Sequence, residues 1–299
     1  MDPLLSWNIA TDVEQLFTFP FMVHALVAGT VVAIVAGLVG WYMVLRRQSF
    51  AGHTLAVVAF PGAAGATLLG LPLAAGFFAF SLGGALLIGA AGARGVGLPR
   101  NQVRQAAAIG TVQAFALACG FLFVSLYRGN VSDVSALLFG SFLGVTARQV
   151  VTLACGGVVA LLVLGSVARP LLFASVDPAV AEAAGLPVAR LSVLFLLLLG
   201  AAAAEASQIT GALLVFALLV MPAATAQKLT ARPARSALLA VLLALGVTWL
   251  GLAVAYYSPY PIGFCVTSLA FAAYLLAHAP WLWPLHLPRG RRWASGAVG

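Results

Sequence analysis

Long apolar runs separated by short polar turns recur along almost the whole chain. A helix needs about 17 to 25 mostly apolar residues to cross the hydrocarbon core of a bilayer. The pattern therefore predicts an all-α polytopic membrane protein with about nine transmembrane helices. We place these helices at 21–45, 53–69, 73–93, 106–126, 150–168, 191–206, 211–227, 237–257 and 264–279.

Two parts of this pattern leave the number of crossings open. Only the polar patch at 205–211 separates the sixth run from the seventh, so a count of eight is also possible. The apolar stretch at 134–145 is too short to cross, and it lies between Arg128 and Arg148. We interpret it as a short re-entrant or interfacial helix.

The amino-acid composition also indicates a membrane protein. Hydrophobic residues make up 63% of the 299 residues and charged residues only 7%, against about 25% charged in an ordinary soluble domain. The mean hydropathy of +1.09 leaves no stretch polar enough for a separate soluble domain. We therefore predict an extracytoplasmic lead-in at 1–20, one transmembrane domain at 21–280 and a basic cytoplasmic tail at 281–299.

The net charge of +8 is explained by membrane topology. Basic residues concentrate in the cytoplasmic loops of membrane proteins. With nine spans and an extracytoplasmic N-terminus, thirteen of the fifteen Lys and Arg residues fall on one side, and only Arg128 and Arg148 lie opposite. The thirteen are Arg46, Arg47, Arg94, Arg100, Arg104, Arg169, Arg190, Lys228, Arg232, Arg235, Arg289, Arg291 and Arg292. The C-terminus is thus predicted to be cytoplasmic, and the charge calls for no nucleic-acid partner.

Signatures of enzyme sites are absent from the sequence. It contains no GxxxxGK[ST] loop for nucleotide phosphates, no GxSxG elbow and no HExxH zinc motif. Its three cysteines have no CxxC spacing and lie in apolar runs. An enzyme is therefore disfavoured, and we expect no permanently bound cofactor.

The polar loop after the fifth run has the sequence of a short, capped helix. Asp177 is suited to cap it, Pro178 suits its first position, and Glu182 lies near its start, where the helix dipole favours an acid. Gly185 and Pro187 would end it. A stiff helix is thus predicted on the arginine-rich side.

Four separated motifs, in a fixed order, resemble the metal-type ABC transporter permeases, which import zinc, manganese or iron. They are VLRRQSFAGHTLAVVAFPGAAGATLLG at 44–70, LLFGSFLGV at 137–145, FASVDPAVAEAAGLPVARL at 173–191 and QITGALLVFALLVMPAATAQKL at 208–229. The resemblance implies a homodimeric permease in a bacterial plasma membrane, working by alternating access. It also implies a pair of cytoplasmic ATPase subunits and an extracytoplasmic solute-binding protein. The segment 177–187, with Asp177, Glu182, Gly185 and Pro187, would be the coupling helix that contacts the ATPase.

Few side chains within the spans could bind a divalent metal ion in transit. Ionisable residues in spans are functional candidates, and imidazole and carboxylate suit zinc or manganese. The candidates are His53, Glu205 near the outer end of the sixth span, and His24. The related permeases commonly carry an Asp and, four residues later, a His at the start of the second span. Here His53 stands in the Asp position and Val57, which cannot be a ligand, in the His position.

Two other functions remain as alternatives. A permease for a metal chelate, such as a siderophore or cobalamin, needs a wide path without ligands, and Val57 is compatible with that. An intramembrane enzyme or an ion-coupled carrier would need a concentrated acid–base site, and one membrane carboxylate argues against it. The leading hypothesis is a permease for zinc or manganese that is driven by a separate ATPase.

Overall fold

The computed structural model describes residues 9–92, 99–127 and 144–279. All regular elements within these residues are helical. They are α1 (Ile9–Thr18), α2 (Pro20–Leu45), α3 (Ser49–Leu69), α4 (Leu73–Gly92), α5 (Pro99–Leu126), α6 (Ala147–Val176), α7 (Pro178–Ala183), α8 (Val188–Leu229), α9 (Pro233–Tyr257) and α10 (Ile262–His278). The helix predicted at 134–145, apart from its last two residues, and the tail at 281–299 lie outside the described residues.

The apolar helices confirm a polytopic membrane protein. Among the described residues, seven helical segments are long and apolar enough to cross a membrane, and two apolar segments are shorter, Leu214–Leu229 and Ile262–His278. Several helices extend beyond the predicted apolar runs. α6 continues through Arg169 and Pro170 to Val176, although the apolar run ends at 168. Hydropathy marks only the part in hydrocarbon, whereas backbone hydrogen bonding continues into the interface, where arginine is solvated.

The chain reverses direction inside α8. Gly211 has φ +71° and ψ 159°, which are not helical values. At 1.5 Å per residue, a straight helix would hold Ser192 and Gln227 about 52 Å apart. Both residues instead contact the same end of α2: Arg46 donates to Ser192 Oγ, and Gln227 donates to the Trp41 carbonyl oxygen. α8 is therefore a hairpin of two segments, α8a (Val188–Gly211) and α8b (Leu214–Leu229).

Close backbone approach holds the helices around α2 together. A Cβ added to Gly40 would lie 2.9 Å from the Leu219 carbonyl carbon of α8b, and one added to Gly37 would lie 2.8 Å from the Val241 Cα of α9. Only a residue without a side chain permits such contacts. α2 is thus packed directly on α8 and α9, and its buried face forms the centre of the bundle.

Side-chain hydrogen bonds tie the basic helix ends to one end of the bundle. Trp41 Nε1 donates to Ser236 Oγ of α9 over 2.9 Å, and Tyr42 Oη donates to the Ala168 carbonyl oxygen of α6 over 3.0 Å. With the two bonds from α2 to α8, these contacts join the C-terminal ends of α2, α6 and α8b to the N-terminal ends of α8a and α9. Five of the basic residues that we expected to share a side lie at these ends: Arg46, Arg169, Arg190, Lys228 and Arg235.

The N-terminal lead-in is helical where the structure describes it. α1 spans Ile9–Thr18, directly before α2, and its Leu16 is buried in the main apolar cluster. Packing of Leu16 on the bundle gives this stretch a defined place.

Candidate functional site

The short helix α7 lies between the long helices α6 and α8, at the basic end of the bundle. Asp177 Oδ1 accepts a hydrogen bond from the Val180 backbone N–H over 3.0 Å, which is the cap that the sequence predicts. Gly185 has φ +84°, a value that favours glycine. Pro187 immediately precedes α8. The sequence therefore specifies both ends of this helix correctly.

α7 presents most of its surface to the outside of the chain. Only Ala181 of the helix is buried, whereas Val180 is 51% exposed and Glu182 is also exposed. A rigid, capped helix with an exposed apolar residue and two acids, Asp177 and Glu182, can dock against another protein. Because α7 connects two long helices, a displacement of α7 would displace the adjoining ends of both.

Glu205 lies at mid-depth in the bundle and is enclosed there. Its side chain is 2% exposed. A Cβ added to Gly157 of α6 would lie 2.9 Å from Glu205 Oε1 and 2.8 Å from Val31, near the middle of α2. Oε1 has no hydrogen-bond partner among the described residues. Gly157 thus leaves the space that the carboxyl group occupies, and Gly156 borders the group at ordinary contact distance.

The sequence placed Glu205 near the outer end of the sixth span, and the structure places it deeper in the helical segment that ends at Gly211. The span was expected to end at 206, but α8a continues to Gly211, which places Glu205 below the tip of the hairpin. The polar patch around it is also buried: Ser207 and Thr210 are each 2% exposed, and Thr210 Oγ1 donates to the Ala206 carbonyl oxygen over 2.9 Å. In this conformation the patch is an internal hairpin tip.

His53 lies in the second turn of α3, at the basic end of the bundle, and is half-buried. Its ring meets the edge of Phe216 of α8b with centroids 4.9 Å apart, and its Nδ1 has no hydrogen-bond partner among the described residues. The next residue, Thr54, donates to Gln113 Oε1 of α5 over 2.9 Å. Sequence reasoning missed Gln113, whose polarity inside an apolar run was the available signal. Val57 is buried one turn further along α3.

The three candidate metal ligands do not come together within this chain. His24 is half-buried near the start of α2. Gly52, beside His53, packs on Met43, which lies nineteen residues beyond His24 and thus about 28 Å along α2. Glu205 lies between these two levels. Among the described residues no group of three or more His, Cys, Asp or Glu side chains could hold a metal ion.

A cavity between α3, α4 and α5 is lined by one possible metal ligand, Cys119. It has a volume of about 420 Å³ and is lined mainly by apolar side chains, among them Val58, Phe80 and Phe115. It contains no carboxylate or imidazole. The cavity therefore offers apolar space but no site for a bare ion.

Comparison with known proteins places this architecture in a family. Residues 18–280 match the model of the ABC 3 transport family. A manganese transport system membrane protein, MntC of Halalkalibacterium halodurans, is 33% identical over 228 residues, which cover 75% of each chain. A chelated iron transport system membrane protein, YfeC of Yersinia pestis, is 31% identical over 88% of this chain and 87% of its own length.

A solved structure shows the same fold. The structure of PsaBC from Streptococcus pneumoniae in complex with Fab matches with a TM-score of 0.78 and 28% sequence identity. The match covers 90% of this chain and 95% of the other. The chain therefore belongs to the ABC 3 transport family and is a multi-pass permease of an ABC transporter, a transport subunit and not an enzyme.

Proposed function

We propose that this chain forms the transmembrane path of an ABC importer for divalent metal ions, with manganese or zinc as the substrate. The observation that carries the proposal is the family match over residues 18–280, together with relatives named as manganese and iron permeases. The transported metal is substrate, and the permease holds no cofactor of its own.

The partners follow from this role. Two copies of the chain form the path, a cytoplasmic ATPase binds α7 of each copy, and an extracytoplasmic solute-binding protein delivers the metal. All nine apolar segments cross a bacterial plasma membrane, with the N-terminus outside and the basic helix ends in the cytoplasm. The exposed surface of α7 at that basic end supports this arrangement.

Transport proceeds by alternating access. ATP binding closes the ATPase pair, which displaces α7 and, with it, the ends of α6 and α8. We assign Asp177, Glu182, Gly185 and Pro187 to this coupling. The cap at Asp177 and the turn at Gly185 keep α7 rigid, so that a displacement at its surface reaches the long helices undiminished.

His53 is the candidate ligand best placed to meet an ion in the present conformation. It is half-exposed, and its Nδ1 has no partner among the described residues. Glu205 meets the ion when α6 separates from α8 during the cycle, because its unpaired Oε1 would then have a cation to bind. His24, near the start of α2, is assigned to the outer entrance of the path.

A metal chelate is the second candidate substrate. The observation that favours it is the absence, among the described residues, of any cluster of three metal-ligating side chains, together with Val57 in the position usual for a histidine. A chelate carries its own ligands and needs mainly shape and apolar contact from the path. The name of the YfeC relative, a chelated iron permease, is compatible with this candidate.

The proposal is tested by assembling the complex. The chain should co-purify with its ATPase, and the complex in liposomes should accumulate manganese or zinc only when ATP is present. Asp177→Ala should weaken the binding of the ATPase, whereas Arg235→Ala, an exposed arginine at the same end, should not. ATP-dependent uptake of a chelate but of no free metal would favour the second candidate.

A further inference from the structure

Arg46 joins the end of α2 to both helices that flank α7. Its Nη1 donates to Ser175 Oγ near the end of α6 over 3.0 Å, and its Nη2 donates to Ser192 Oγ near the start of α8 over 2.7 Å. The guanidinium also lies over the Phe195 ring, with Cζ 5.3 Å from the centroid. The planar guanidinium offers several donors in a fixed geometry, so one side chain can bridge two helices.

The two acceptors bracket α7 closely. Ser175 lies two residues before the cap Asp177, and Ser192 lies in the second turn of α8. α7 itself buries only Ala181, so few of its own side chains contact the bundle. α6 and α8 already pack on α2, and Tyr42 bonds to Ala168 of α6. Arg46 adds a direct attachment of α2 to the two residues that bracket the segment that the ATPase would move.

The C-terminal end of α2 is also bonded to α9 and α8b. One turn before Arg46, Trp41 bonds to Ser236 of α9, and its carbonyl oxygen accepts from Gln227 of α8b. Further along, the middle of α2 packs beside Glu205. A displacement that reaches Arg46 thus has a continuous route to the helices around mid-depth.

The Arg46 contacts are hydrogen bonds to neutral groups and not ion pairs. Both acceptors are serine hydroxyls, which can rotate and exchange partners, and the Ser175 hydroxyl also donates to the Leu171 carbonyl oxygen. The guanidinium is partly buried, and its Nε has no partner among the described residues. Rotation of either hydroxyl can therefore change one of these hydrogen bonds without breaking the other.

We propose that Arg46 is the positioning residue that transmits the movement of α7 to α2, so that ATP hydrolysis is coupled to opening of the path. The proposal rests on the function proposed above. Arg46 contacts neither the ATPase nor the substrate in this account. It acts through Ser175 and Ser192.

The test compares transport with hydrolysis in the assembled complex. In Arg46→Ala the complex should still bind its ATPase and hydrolyse ATP, but the metal taken up per ATP should fall about tenfold, as expected when hydrogen bonds from a charged group are lost. Arg46→Lys keeps the charge but replaces the two separate Nη donors by one nitrogen, so its uptake per ATP should lie between those of the wild type and Arg46→Ala. The matched control, Arg235→Ala, should keep the normal ratio. A proportional fall in uptake and hydrolysis would overturn the proposal.

A second variant, which changes only the two acceptor serines, is less prone to misfolding than Arg46→Ala. The double substitution of Ser175 and Ser192 by alanine removes two small hydroxyls, so the bundle should stay folded, and its uptake per ATP should fall as in Arg46→Ala. Adding Arg46→Ala to it should cause no further loss, because the same contacts are already absent. Additive losses, or failure of both variants to assemble, would contradict a positioning role.

A distance measurement separates this proposal from the substrate assignment. Spin labels at Val27→Cys of α2 and Leu275→Cys of α10, both on exposed positions, report movement of α2 in a background without the native cysteines. ATP should change their separation in the wild-type complex and not in Arg46→Ala, whichever substrate is carried. A change that persists in Arg46→Ala, or none in the wild type, would overturn the proposal. Absence of metal uptake with an intact distance change would instead overturn only the metal assignment.

Discussion

Substituting Gly40 by alanine tests the packing of the α8 hairpin on α2. The added Cβ would lie 2.9 Å from the Leu219 carbonyl carbon, 3.1 Å from its Cα and closer still to its oxygen. Carbon atoms normally pack at about 3.5 to 4.0 Å. All three neighbours belong to backbone, so no side chain can rotate away, and α2 and α8b must separate by about 1 Å.

The magnitude follows from that overlap. Overpacking of a well-packed core lowers the free energy of unfolding by about 1 to 3 kcal/mol. Because the added Cβ would meet only backbone atoms of Leu219, we expect Gly40→Ala to lie at the upper end of that range, about 3 kcal/mol. Gly246→Ala in α9 is the matched control, since nothing lies within 4 Å of its added Cβ. Both variants exchange a helical glycine for alanine, so the difference between them isolates the overlap.

The two variants are compared by equilibrium unfolding in mixed micelles with increasing SDS, followed by the fluorescence of the six tryptophans. Gly246→Ala should match or exceed the wild type in stability, and Gly40→Ala should be less stable than the control by about 2 to 3 kcal/mol. Equal stability of the two variants would refute the reasoning. It would mean that α8b does not return along α2, and that the reversal at Gly211 is wrong.

Three further substitutions test the coupling helix and the path. Asp177→Ala removes the cap of α7, worth about 1 kcal/mol, and should reduce ATPase co-purification while Asp177→Asn retains it. Gly185→Ala forces a side chain into φ +84°, which costs about 1 to 2 kcal/mol, so it should weaken the same pull-down and lower the free energy of unfolding by no more than that amount. Glu205→Gln keeps the shape of the side chain beside Gly157, so ATP hydrolysis should persist. ATP-dependent metal uptake should fall about tenfold if the carboxylate binds the ion. Normal uptake would show that Glu205 does not bind the ion in the path.

Local signals in the sequence were sufficient for the helices and for α7. Within the described residues, each of the nine predicted spans lies in a helix, whereas the helix predicted at 134–145 lies mostly outside them. The cap, the first-turn proline and the glycine turn of α7 act over a few residues, so they can be predicted without knowledge of the fold. The family was also evident from four short motifs, and the comparison over residues 18–280 confirms it.

Contacts between distant parts of the chain could not be predicted in the same way. Arg46 reads in the sequence only as a topology signal, because its partners Ser175 and Ser192 lie 129 and 146 residues away. The depth of Glu205 depends on where the hairpin turns, and a single glycine conformation at Gly211 decides that. The separation of His53 from His24, in contrast, follows from spacing along the chain, because most of the length of α2 lies between the levels of the two side chains.

The most direct test of the account is metal uptake by the complete complex in liposomes, with the permease, its ATPase and its solute-binding protein. Manganese, zinc and iron(II) are offered separately, with ATP and with a non-hydrolysable analogue. We expect ATP-dependent accumulation of manganese or zinc, with loss of uptake in His53→Ala while ATP hydrolysis persists. A complex that assembles and hydrolyses ATP but accumulates none of the three metals would contradict the central claim.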